Sequence, residues 1–259
     1  MVGAPDPGRT RHTGVILTGG SSGLGRATAL LLAQAGRPVA VWGTDSERTT
    51  EVARLCQQAG VKACGITVDI CDLDAVRRAV DASEDAVGPI GGLVCAAARL
   101  RADSVGCMNF SEWDLTLRTN LTAIAHTLEA ALPALRRVGR GASCVAVAST
   151  EAMRGSGFLA SYSTSKHGVL GLVSSASRAL APEGIRVNAV CAGAMDTPMM
   201  AAALAANGGD PVREQMISGI PLGYISDPKE VAHVIAFLLA PESSYVTGAA
   251  IPVDGGMLA

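Results

Sequence analysis

A doubly wound α/β fold, with one seven-stranded parallel sheet between helices, is predicted by three features of this 259-residue chain. Seven short, nearly unbroken apolar runs alternate with longer stretches of helical periodicity, and a glycine-rich turn closes the first run. Hydrophobic residues make up 49% of the chain but aromatics only 3%, so Ala, Val, Leu and Ile must fill the core, which suits close packing of helices on a sheet. Apolar runs that do not alternate with polar residues are buried on both faces, as in parallel sheets covered on each side. Right-handed crossovers then wind the helices onto both faces.

The elements follow in order. GVILT (14–18) reads as a strand, ATALLLAQA (27–35) as a helix, PVAVW (38–42) as a second strand, and the polar-faced stretch 46–59 as a second helix. KACGITV (62–68), a helix over 73–87, the run GLVCA (92–96) and a long helix near 112–137 continue the rhythm. ASCVAVAS (142–149), a helix over 161–181, RVNAVCA (186–192), a helix over 228–240 and AAIPVD (249–254) complete it. Residues 13–259 are therefore expected to form one domain. Residues 195–227, with MAAALAANGGDP, are too long for an ordinary connection and are expected to form a mobile substrate lid. The first 12 residues, rich in Pro, Gly and charge, are read as a loose arm, since no apolar stretch follows their charges as in a secretory signal.

Composition excludes several classes. A formal net charge of −2 offers no broad basic face to nucleic acid, and Arg136, Arg137 and Arg140 read as the solvated end of a helix. No apolar run reaches the roughly 20 residues of a membrane span. Seven cysteines without CxxC or paired-His spacing argue against a metal site and for a reducing, cytoplasmic compartment. Cys95, Cys144 and Cys191 sit in strand-like runs and read as small core residues.

The first strand runs directly into TGGSSGLGRATALLLAQAG, which places Gly19, Gly23 and Gly25 at a strand-to-helix turn. There the backbone can approach a pyrophosphate, whose charge is met by free N–H groups at the helix start. Ser21 and Ser22 can add hydroxyls, and Leu24 lies in the same turn. Further along, SYSTSKHG puts Tyr162 and Lys166 four apart on one helical face. A tyrosine titrates near 10 in isolation, so the neighbouring ammonium is expected to stabilise its phenolate and fit it for general acid/base work. Ser149 ends the fifth apolar run, at the carboxyl edge where open α/β sheets bind ligands.

The turn spacing Thr-Gly-x-x-x-Gly-x-Gly, together with Asp69, Asn120, Ser149, Tyr162, Lys166 and VNAVCAGAMDTPM, resembles the short-chain dehydrogenase/reductase family over nearly the whole chain. The resemblance implies NAD(P)-dependent hydride transfer between a secondary alcohol and a ketone, with Ser149, Tyr162, Lys166 and Asn120 catalytic. By that resemblance Asn120 holds a water that passes protons from Lys166, Asp69 and Ile70 meet the adenine, Ala97 lies beside the cofactor, and Met195 and Thr197 meet the nicotinamide carboxamide. It also implies a homotetramer, or a homodimer, packed through the helices 112–137 and 161–181. Two places depart from the family pattern: Cys95-Ala96-Ala97-Ala98 stands for Asn-Asn-Ala-Gly, and Ala192-Gly193 for Pro-Gly.

At the end of the second strand, Trp42-Gly43-Thr44-Asp45 has no basic residue before Arg48, so Asp45 is expected to bind the ribose hydroxyls of NAD, although the family's acidic position aligns with Gly43. The uncharged Met-Met-Ala-Ala-Ala-Leu from 199 predicts a neutral, largely apolar substrate. Two other classes compete: a module that senses dinucleotide without chemistry, and a lyase or epimerase that recycles its cofactor within one turnover.

Overall fold

The computed structural model describes residues 13–259, so the arm expected over 1–12 lies outside the described residues. Strands β1 (Gly14–Thr18), β2 (Val39–Gly43), β3 (Ala63–Thr67), β4 (Ile90–Cys95), β5 (Ser143–Val147), β6 (Arg186–Ala192) and β7 (Ala250–Val253) form one sheet in the order β3-β2-β1-β4-β5-β6-β7. Every pairing is parallel, as predicted. The order reverses between β1 and β4, and such a switch point opens a crevice above the carboxyl ends of the strands.

Successive strand residues point to opposite faces, and each face has its own apolar core. Ile16, Trp42, Leu93 and Cys144 pack against α3 (Leu73–Val87), α5 (Ala123–Val138) and α6 (Ala160–Leu180). Val15, Leu17, Val41, Val145 and Val190 pack against α1 (Gly23–Gln34), α2 (Ser46–Gln58) and α9 (Pro228–Leu239). Small side chains dominate both layers. The one fully buried tryptophan on the sheet, Trp42, keeps its indole N–H satisfied by donating to Ser83 Oγ at 2.9 Å.

Two buried arginines close the opposite end of the sheet by donating to carbonyls and a hydroxyl. Arg186 donates to the carbonyls of Leu238 (2.8 Å), Ala240 (3.2 Å) and Val246 (3.2 Å), and Arg37 donates to those of Leu239 (3.0 Å) and Thr13 (3.1 Å). These carbonyls include the last ones of α9, which a helix leaves unpaired and which carry its negative dipole end. Burial, and next the charge of Arg186, lower the Arg37 guanidinium to about 10.

Two elements differ from the sequence reading. The long helix expected near 112–137 starts at Phe110 with Asn109 as its N-cap, and its first part, α4 (Phe110–Leu117), passes through a π-helical turn, Arg118–Thr122, into α5. The segment 195–227 contains two helices, α7 (Pro198–Ala206) and α8 (Asp210–Ser218), neither of which buries a residue. No helix among the described residues is long and apolar enough to cross a membrane.

Candidate active site

A cleft of about 510 Å³ opens at the switch point. Its floor is the turn between β1 and α1, where Gly19 has φ +68° and a Cβ there would stand 2.7 Å from the Ala97 backbone. A Cβ on Gly25 would run into the Gly19 carbonyl, so this helix can start against the turn only with glycine there. The Ser22 side chain, at the N-cap, makes no capping bond. Ser21, Ser22, Gly23 and Leu24 line the cleft beside the α1 N-terminus. This glycine cradle at a positive helix end fits the pyrophosphate of a dinucleotide.

Across the cleft, β5 leads into Ser149, two residues past its end, which caps a 3-10 turn, Thr150–Ala152. The first turn of α6 presents Tyr162 and, one turn on, Lys166. The Ser149 hydroxyl is hydrogen-bonded to the Tyr162 phenol. Lys166 is buried, its Nζ donates to the Val147 carbonyl at 2.7 Å, and the same nitrogen lies 5.6 Å from the centre of the Tyr162 ring. The expected lowering of the tyrosine is not what the chain alone produces. Burial pushes the phenol up to about 12, the Ser149 hydrogen bond opposes the rise, and the Glu151 charge adds to it. Burial equally works against the ammonium of Lys166, bringing it down to about 8 against the opposing influence of Cys95 and Cys191. The lysine donates to a carbonyl rather than to the phenol, so in the protein alone its effect on Tyr162 is outweighed by desolvation.

Asn120 is fully buried in the π-helical turn. Its Oδ1 accepts from the Arg99 amide at 2.8 Å, and its Nδ2 donates to the Arg99 carbonyl (2.9 Å) and to Ser165 Oγ (3.1 Å). Ser165 Oγ in turn donates to the Tyr162 carbonyl at 2.7 Å. The Asn120 side chain thus ties the segment after β4 to the tyrosine's own helix turn; it does not line the cleft.

The adenosine end departs from expectation at Asp45. Its carboxylate caps α2, accepting from the Arg48 amide at 3.0 Å and from Arg48 Nε at 2.6 Å, and it is not among the cleft-lining residues. These Arg48 hydrogen bonds hold it below the usual carboxylate range. Position 43 is a glycine, and any side chain there would have to displace two hydroxyls, since a Cβ on Gly43 would stand 2.8 Å from Ser21 Oγ and 2.9 Å from Thr49 Oγ1. Trp42, Gly43 and Thr44 line this end, and the structure gives the NAD preference no carboxylate to rest on. Asp69 and Ile70 do line the cleft, and Asp72, not Asp69, caps α3.

Ala97, Met195 and Thr197 also line the cleft. The departure after β4 is accommodated by Thr18, whose carbonyl accepts from the Ala96 amide and whose hydroxyl accepts from the Ala97 amide, each at 3.3 Å. In the departure after β6, a Cβ on Gly193 would stand 2.7 Å from the Asp254 Cα. Met195 bridges to Ser226, and Thr197 Oγ1 accepts from the Met200 amide as the N-cap of α7. Sequence reasoning missed Thr44, Cys71, Thr119 and Ala148 in the lining, and Glu151, whose charge bears on the tyrosine, whereas Met199, read as part of the substrate lid, does line the cleft. Ala148 adjoins Ser149, which was singled out, so neighbourhood was a usable signal; Thr119 lies in the π-helical turn.

A family model described as enoyl-(acyl carrier protein) reductase matches residues 19–258. The chain is 33% identical over 243 residues to the 3-oxoacyl-[acyl-carrier-protein] reductase of Thermotoga maritima, covering 94% of this chain and 96% of that protein. It is 36% identical over 245 residues to the cis-4-hydroxycyclohexanecarboxylate dehydrogenase of Sinomonas cyclohexanicum, with 94% and 96% covered. Among solved structures it resembles a tryptophan variant of the actinorhodin polyketide ketoreductase with NADPH, at a TM-score of 0.90 and 30% identity over 96% of this chain and 98% of that one. The glycine cradle, the Ser149, Tyr162 and Lys166 arrangement and these matches along almost the full length make this chain a member of the short-chain dehydrogenase/reductase family, oxidoreductases that use NAD(P).

Proposed function

We propose that this protein is an NADPH-dependent carbonyl reductase that interconverts a neutral, largely apolar ketone and its secondary alcohol. The observation that carries the reading is the convergence of Ser149, Tyr162 and Lys166 on the wall of the cleft whose floor is the glycine cradle. Gly19, Ser21, Ser22, Gly23, Leu24 and Gly25 hold the pyrophosphate, Asp69 and Ile70 the adenine, and Ala97, Met195 and Thr197 the nicotinamide end. The bound nicotinamide supplies the hydride. Ser149 donates a hydrogen bond to the substrate oxygen, and Tyr162 delivers the phenolic proton to it. The phenol is neutral at physiological pH, the form an acid needs for ketone reduction. Lys166 keeps a cation beneath the ring and stabilises the phenolate left after transfer. Asn120 fixes the helix turn that carries the tyrosine and holds the water that passes protons from Lys166.

NADPH is preferred in this reading because no carboxylate lines the ribose end, Arg48 stands in the first turn of α2 at that rim, and a similar ketoreductase holds NADPH. The apolar substrate follows from Ala148, Ala192, Met195 and Met199 in the lining and from exposed Met153, Phe158 and Leu222. The segment 195–227 closes over the substrate, copies of the chain associate through α5 and α6 into a tetramer or dimer, and the seven free thiols suit the reducing cytoplasm.

Fluorescence titration with NADPH and NADH, followed by turnover of a panel of ketones by the wild type and Tyr162→Phe, tests the reading. Tighter NADPH binding, consumption of cofactor with a neutral ketone, and loss of turnover in Tyr162→Phe with cofactor affinity kept are expected. Retained turnover in that variant would remove Tyr162 from its role. Selective use of a carboxylated or phosphorylated ketone would overturn the substrate class.

A further inference from the structure

Glu151 takes no part in the proton path above, yet it is built into the same turn. Its amide donates to Ser149 Oγ at 3.2 Å, one hydroxyl away from the Tyr162 phenol. Its side chain is 12% exposed, with Oε1 3.3 Å from Arg154 Nη2. The other oxygen, Oε2, is buried and accepts no hydrogen bond. Arg154 is 46% exposed, and its Nη2 is shared with Met257 Sδ at 3.5 Å, so the carboxylate is only partly compensated. A buried carboxylate oxygen without a donor is costly, and such a group beside a reacting tyrosine calls for a reason.

We propose that Glu151 is a positioning residue for proton transfer: its partly compensated carboxylate, fixed one residue beyond the Ser149 cap, holds the proton on Tyr162 and biases the site toward ketone reduction. The inference rests on Tyr162 being the acid/base of the proposed reaction. The charged and titratable groups around the pair are few. Ser149 reaches Tyr162 from just past the end of β5, Lys166 lies under its ring from the same helix, and Cys95 of β4 and Cys191 of β6 bear on that lysine. Asp254, after β7, bears on Cys191, and Arg154 is the cation on Glu151. The field of Glu151 acts in the same direction as burial, so removing its charge should release the phenolic proton at lower pH.

The chain has three tyrosines, and Tyr245 and Tyr224 are exposed, so the double variant Tyr224→Phe/Tyr245→Phe leaves Tyr162 as the sole phenol. Its phenolate absorbance after a rapid pH jump reads the titration directly, without substrate or cofactor. Adding Glu151→Gln should move the midpoint down by about one pH unit, and Glu151→Asp should move it back. The pH profile of alcohol oxidation should shift by the same amount, with KM nearly unchanged. Arg154→Met, which leaves the carboxylate uncompensated, should move the midpoint up and serves if Glu151→Gln does not fold. An unmoved midpoint in folded Glu151→Gln, a shift that Glu151→Asp does not restore, or a downward shift in Arg154→Met would overturn the proposal. A shifted phenolate in a protein that reduces no ketone would leave the effect of Glu151 on the phenol standing and remove the proposed reaction, and with it the bias toward ketone reduction.

Discussion

Lys166 is where a single residue's environment reaches into the stability of the whole protein. Its ordinary value is 10.5, and burial brings it to about 8 in the folded chain. Between those values the unfolded chain binds more protons than the folded one, so this group makes stability rise as pH climbs from about 8 to 10.5. Tyr162 acts with the opposite sign, but only above its ordinary value of 10, where the folded chain keeps a proton up to about 12. Urea midpoints at about pH 7.5 and about pH 9.5 separate the two. Lys166→Met should lose the gain that the wild type shows between these pH values relative to the variant, and parallel behaviour of the two proteins would mean that the lysine is not depressed. The spacing of Tyr162 and Lys166 could be read directly from the sequence, because four residues place two side chains on one helix face. The direction of the tyrosine's shift could not, because it depends on how far burial outweighs a cation whose hydrogen bond goes to the Val147 carbonyl. Asp45 misled for a related reason: a carboxylate near the end of β2 can serve a ribose or cap a helix, and only the position of the Arg48 amide decides.

Among the elements, the strands were legible because burial on both faces leaves unbroken apolar runs, and GVILT and RVNAVCA coincide with β1 and β6. The π-helical turn was not, since RTNLT has no composition that separates one extra residue per turn from ordinary helix. Its consequence is local and chemical, because it carries the buried Asn120 and, on the cleft wall, Thr119. The capping of α9 was equally hidden. Arg186 lies in a strand, and its carbonyl partners arrive from residues 52 to 60 positions later in the chain. Arg186→Met removes three charge-assisted hydrogen bonds and leaves the Leu238 and Ala240 carbonyls short of a donor, though Ser143 and Ser243 still reach them. A loss of about 2–4 kcal/mol in urea unfolding is expected, with Arg186→Lys recovering only part because an ammonium cannot span three carbonyls in the same plane. A loss under about 1 kcal/mol would mean that the serine hydroxyls carry the cap.

For the whole molecule, the distribution of burial divides a rigid sheet from a loosely held rim. The two cores run through every strand pair from β1 to β6, while α7 and α8 bury no residue and are joined through Gly208 and Gly209, both at positive φ. Few buried contacts mean low local opening energy, so this rim should open far more often than the sheet beneath it. It is nevertheless pinned at its base, where Asp196 donates its amide to the Ser226 carbonyl at 2.9 Å and Ser226 donates to Ala194 at 3.1 Å. Thr197, Pro198 and Met199, at the start of α7, line the dinucleotide cleft. Cofactor seated against these residues would therefore bind the folded rim and not the opened one, adding about 2.7 kcal/mol when present at 100 times its dissociation constant. Limited proteolysis reads this directly. The first cut is expected near Asn207–Gly209, and saturating NADPH should slow it by up to about 100-fold when cleavage tracks the open population. Slowing that appears only when a ketone or alcohol is added as well would place the ordering step at substrate binding, whereas a first cut inside the sheet would show that the rim is held as firmly as the core.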